Sequence, residues 1–119
     1  MAKKYSWSDL SRAALNVREV LGPLLEAMEA GNDKSYAELL PVFSKRFDEF
    51  MPVAVSIGSN LAQRIPSLSH EEVLVGASLD LLIQISCHFD TGMMQVWLFS
   101  LASVGCLSGD LAKREADAN

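Results

Sequence analysis

The residue types that most often carry chemistry are scarce in this chain. Its two cysteines, Cys87 and Cys106, form no CxxC pair and lie near no pair of histidines, which removes the common zinc arrangements. There is no GxSxG elbow, no GxGxxG loop and no Walker pattern, so neither a positioned serine nucleophile nor a phosphate cradle is encoded. Basic residues are few, ten against fifteen acidic ones, for a formal charge of -5. Nucleic-acid affinity comes from clustered Lys and Arg, so DNA or RNA is not expected as a direct partner. Catalytic, cofactor and metal sites are all expected to be absent. MAKKYSWSDL has lysines but no apolar run behind them, which argues against a secretory signal. With both cysteines read as small buried hydrophobes, the expected compartment is a reducing cytoplasm.

What is present is apolar and periodic. Half of the 119 residues are hydrophobic and 21% are charged, with seven glycines and four prolines; this is the composition of one folded domain. Residues 1–8 read as an N-terminal arm whose Tyr5 and Trp7 fold back onto the domain, and Ser8 or Asp9 as the first N-cap. From Leu10 to Met28 apolar residues recur at three-and-four spacing, the mark of an amphipathic helix. Gly22-Pro23 predicts a kink or restart, and Gly31-Asn32 a stop. A second helix, capped by Asp33 or Ser35, carries Tyr36, Leu39, Leu40, Phe43, Phe47 and Phe50, with Pro41 bending or splitting it. Pro52 reads as the first turn of a third helix that stops at Pro66.

The most apolar part of the chain comes last. Ser69 with Glu72 forms a capping box that opens a helix from His70 to Phe89. That helix is expected to be buried on most faces, with one polar stripe through Gly76, Asp80, Gln84 and His88. The last helix, from about Gly92 to Val104, is capped by Thr91 and ended by Gly105 and Gly109; Thr91 to Gly109 holds no charged residue. Residues 110–119 read as a flexible polar tail. The expected architecture is all-α, a compact bundle of about five helices over residues 9–109, the last two most apolar.

Asp80 and His88 are an acid and an imidazole on one helical face, but eight residues span about 12 Å of rise, whereas metal ligands lie about 2 Å from the ion. His70 beside Glu71 and Glu72 is a helix first turn, where carboxylates complement the dipole. The uncharged stretch to Gly109 approaches the roughly 20 residues needed to span a bilayer. Serines, a glutamine and glycines dilute it, and Asp80 interrupts the preceding run, so membrane insertion is the lesser reading.

Several stretches together resemble the tail assembly chaperones, or pre-tape-measure proteins, of long-tailed bacteriophages. They are Tyr36-Ala37-Glu38-Leu39-Leu40-Pro41-Val42, the apolar run opened by Pro52, and Pro66-Ser67-Leu68-Ser69-His70-Glu71-Glu72-Val73 leading through Leu79-Asp80-Leu81-Leu82 to His88-Phe89-Asp90. The resemblance covers roughly residues 35–90. It implies a non-enzymatic protein of the host cytoplasm that coats a long helical tape-measure protein, keeping it soluble until tail-tube subunits polymerise, in some cases with a longer frameshifted product. It implies no site residues. From the residues themselves, the expected contact surface for a client or for further copies of the chain is Phe43, Phe47, Phe50, Met93, Met94 and Trp97, because Met and aromatics suit adaptable apolar interfaces. A small inhibitor or adaptor of a host protein, and a holin-like membrane protein, are the alternatives.

Overall fold

The structure, a computed structural model, describes residues 4–84 and 91–118. These residues form four α-helices, α1 (Trp7–Ala30), α2 (Asp33–Gln63), α3 (His70–Gln84) and α4 (Thr91–Ala118), with a 3₁₀ turn at Ile65–Ser67. No strand occurs among the described residues. The fold is all-α, with four helices rather than about five.

Each helix carries a seam of buried residues that alternate at three and four positions. In α1 the seam is Leu10, Ala14, Val17, Leu21 and Leu24; in α2 it is Phe43, the half-buried Phe47, Phe50, Ala54, Ile57 and Leu61. It continues as Val75, Leu79 and Leu82 in α3, and as Met94, Trp97, Leu101, Val104, Ser108 and Leu111 in α4. Such 3.5-residue spacing lets helices pack at a shallow angle over their whole length, as in four-helix bundles. Each helix packs on the next, and α4 returns to α1.

The turns fix the directions. Ser6, not Ser8 or Asp9, caps α1: Asp9 N–H donates to Ser6 Oγ at 3.1 Å while Ser6 N–H donates to Asp9 Oδ2 at 2.9 Å. Gly31, at φ 68°, takes the left-handed conformation that ends α1, and Asn32 N–H reaches back to Ala27 O at 2.9 Å. The Asn32 side chain then accepts from Ser35 N–H at 3.2 Å and opens α2, a role that sequence reading gave to Asp33 or Ser35. A two-residue link leaves α2 no direction but back along α1. Ser69 and Glu72 form the expected capping box, at 3.0 and 3.3 Å, and Arg114 of α4 meets Glu71 of α3 at 3.0 Å.

Three prolines sit inside helices: Pro23, where a kink or restart was expected, in α1, and Pro41, expected to bend or split its helix, and Pro52, expected to open a new one, in α2. The expected third helix is therefore the second half of α2. All three prolines are exposed, and so are Glu19, Ala37 and Asp48, the residues whose carbonyls lose a donor. On an exposed helix face water can take the place of the donor a proline removes, while the inward seam runs past Pro52 in register.

The expected end of the last helix is also corrected. Gly105 and Gly109 lie within α4, which continues to Ala118 and replaces the expected tail. Their task is close approach. A Cβ at Gly105 would lie 2.5 Å from Leu15 Cδ2, and one at Gly109 would lie 3.4 Å from Ser11 Oγ. Ser11 Oγ donates to Gly105 O at 2.8 Å. With Ser6 as N-cap and α1 starting at Trp7, the expected arm is shortened at one end as α4 lengthens at the other.

The long dimension is 47 Å, matched by the roughly 46 Å of a 31-residue helix. The 15 residues of α3 reach about half as far. Beyond them Trp97 of α4 reaches across to Phe43 and Phe47 of α2, with ring centroids 6.4 and 5.0 Å away.

Ser108 is fully buried and its Oγ has no hydrogen-bond partner, a state that costs about 1–3 kcal/mol. Ser108→Ala is expected to stabilise the fold by about 1 kcal/mol, read as a higher denaturant midpoint at unchanged slope. Gly105→Leu should lower stability by about 1–3 kcal/mol through overpacking against Leu15, read in the same titration.

Candidate protein-docking site

The structure brings the six expected contact residues largely indoors. Phe43, Phe50, Met94 and Trp97 are core residues, Trp97 at 2% exposure, while Phe47 and Met93 are half-buried. Phe43 and Phe47 stack at 5.9 Å with planes 18° apart, and Trp97 meets both. The reason lies in spacing: Phe43, Phe47 and Phe50, like Met94 and Trp97, stand on the seams of α2 and α4. In this closed bundle they are filling rather than face.

The apolar surface that remains open is on other residues. Val73, Leu74 and Leu81 leave the seam of α3 and face outward, so that helix is not buried on most sides as the sequence suggested. Ile65, in the 3₁₀ turn, is 64% exposed. Between α3 and the second half of α2 lies a cleft of 570 Å³, walled by Val55 and Val73, closed at one end by Ile65 and Leu68. It is open because small residues face one another across it: Gly58 and Ala62 on α2, Gly76 and Ala77 on α3. A Cβ at Gly58 would meet nothing within 4 Å. The sequence signal that could have found this site is the set of apolar residues, Val55, Val73 and Leu81 among them, that stand outside any helical seam.

A second hollow, of 1020 Å³, lies on the other side of α2, between that helix and Lys4–Trp7. Polar residues, Ser56, Asn60, Gln63 and Arg64 among them, line it together with Trp7, Pro52, Val55 and Ile57. Val55 and Ser59 line both hollows, so α2 forms the ridge between them.

The charges around the α2–α3 cleft are mostly engaged with one another. Arg64 Nε donates to Asn60 Oδ1 at 2.9 Å and its Nη2 lies 3.4 Å from Glu72 Oε2. The Glu72 carboxyl is held below the ordinary glutamate range, first by the Ser69 backbone N–H and then by the Ser69 hydroxyl and Arg64. Glu71 is lowered too, chiefly by its hydrogen bond to Arg114, whose own value that bond raises. Asp80, at the cleft rim, accepts from Gln84 Nε2 at 2.9 Å; its expected stripe partner His88 lies outside the described residues, as does Cys87. Among the described residues no group of three or more His, Cys, Asp or Glu could hold a metal ion. Cys106, read from sequence as buried, is exposed on α4.

A carboxyl whose folded pKa is depressed contributes stability that is present above its unfolded value and is lost as pH falls through the folded one. Stability should therefore decline as pH drops below the ordinary glutamate range. Glu72→Gln keeps an acceptor for Ser69 N–H but cannot titrate, so its acid limb should be shallower, with a slope remaining from Glu71. Chemical denaturation at a series of pH values checks this.

No protein-family model, no curated protein and no solved structure matches this chain.

Proposed function

We propose that this chain is a non-enzymatic binding protein that holds an apolar-faced helix of a client protein in the α2–α3 cleft. The observation that carries the reading is the cleft itself: an open apolar trough beside a helix that leaves Val73, Leu74 and Leu81 uncovered. An amphipathic helix laid in such a groove presents side chains at three- and four-residue intervals to one apolar strip. The cleft volume lies within the roughly 300–1,000 Å³ of sites that bury a compact apolar ligand. The net charge of -5 supports solubility of a complex whose client is itself apolar-faced.

The most specific form of this proposal follows the family resemblance: a bacteriophage tail assembly chaperone of the host cytoplasm, with a long helical tape-measure protein as client and tail-tube subunits as the later partner. Capture of a single host protein is the competing form and would use the same cleft. A holin-like role is not put forward, because among the described residues no helix is long and apolar enough to cross a membrane.

Gly58→Leu fills the cleft from a position with open space around it, and it replaces a mid-helix glycine with a better helix former. The variant should fold at least as stably as the parent and lose client capture by roughly tenfold or more. Co-production with a tape-measure-type protein, measuring how much of that client stays soluble, reads the effect. Undiminished solubility with Gly58→Leu would remove the cleft from the function; parent protein that never keeps such a client soluble would remove the chaperone reading.

A further inference from the structure

The cleft leaves one conspicuous residue unexplained. Phe99 is 80% exposed, more than any other large apolar residue described, and it projects from α4 directly opposite the Trp97–Leu101–Val104 seam. Around it the outer face of α4 is built from Gln95, Ser103 and Cys106, all exposed. On the α1 side Leu15, also exposed, leans over Gly105, with Arg12, Arg18 and Glu19 beside it marking the edge of this face.

We infer that this face is a self-docking surface, on which a second copy of the chain packs with its α4 antiparallel to the first. A two-fold contact sets a surface against itself, so any charge near its centre meets its like. With a net charge of -5, most of this surface repels its own copy. The outer face of α4 escapes this repulsion, because Thr91 to Gly109 carries no charge. Among the other exposed apolar residues, Val42 is flanked by Glu38, Lys45 and Arg46 on its helix and the Leu81 face includes Asp80, while Val55 and Val73, whose helical neighbours are uncharged, line the proposed client cleft.

The pattern also fixes a register. With the two-fold axis between Ala102 and Ser103, Phe99 of each copy lies over Cys106 of the other, a bulky side chain against a small one. Ala102 and Ser103 meet at the axis, where small residues let the helices approach closely. Gln95 falls opposite Asp110, and its amide donates to that carboxylate. Asp110 is the first charge met on this face, and it comes at the rim, paired with a neutral donor.

Sedimentation velocity across a wide concentration range tests the inference. The parent chain should show reversible dimerisation, and Phe99→Asp should weaken it by about thirtyfold or more, with circular dichroism and melting temperature unchanged because the side chain is outside the core. The register has its own test. Ser103→Cys in a Cys106→Ser background should form a disulfide-linked dimer under mild oxidation, since positions 103 face each other across the axis. Cys106 of the parent should not, because its two copies lie about 10 Å apart along the helices. A parent that is monomeric at every concentration, or a Phe99→Asp variant that dimerises like the parent, overturns the self-docking face. Cross-linking through Cys106 in preference to Ser103→Cys overturns the register. Gly58→Leu should leave dimerisation intact, which separates this surface from the proposed client cleft.

Discussion

The fold depends on how closely its first and last helices approach. Where α1 crosses α4, Gly105 has no side chain to hold the backbones apart, Leu15 lies against it, and the Ser11 hydroxyl bonds its carbonyl at 2.8 Å. This contact sets the rotation of α4 about its own axis. With Gly105 against α1, the Met94–Trp97–Leu101–Val104 line faces the core, and Phe99 has nowhere to point but outward. Had Gly105 and Gly109 ended the helix, as their identity first suggested, neither the closure of the bundle nor the outer face of α4 would exist.

The helices themselves were legible because burial in a bundle imposes a period, and that period is present in all four. So were the Gly31-Asn32 stop and the Ser69–Glu72 capping box, since both depend on local backbone needs that few residues satisfy. Pro52 misled for a definite reason: it lies inside α2 rather than opening a third helix. A proline counts against a helix through the donor it removes, but the cost depends on whether the orphaned carbonyl is dry. Glu19, Ala37 and Asp48, which carry those carbonyls, are exposed residues, a fact that belongs to tertiary structure. The glycines of α4 misled in the same way. Gly in a helix weakens it locally, and only the position of α1 shows what is gained in return.

The candidate site was legible in kind but not in place. Aromatic and methionine residues attract attention as contact formers, yet Phe43, Phe50, Met94 and Trp97 stand at seam positions, and the seam takes them. The residues left for a partner, Val55, Ile65, Val73, Leu81 and Phe99, are ordinary aliphatics and one phenylalanine that no seam claims. Which apolar residues remain outside depends on where each helix stops and what covers it. The α3 helix has one flank on α2 and the other on α4, and no described element lies over its outer side.

Trp97 has an indole N–H that is buried without a hydrogen-bond partner, against the rings of Phe43 and Phe47. An indole held so dry emits at shorter wavelength than one in contact with water. The only other tryptophan, Trp7, is half-buried at the start of α1, beside the more polar hollow and well along the bundle from Trp97. The two therefore form a natural pair of optical probes: one reports the integrity of the aromatic crossing between α2 and α4, the other the state of the end where the chain enters its first helix. Loosening at either end would carry its own spectral signature, without a label being attached.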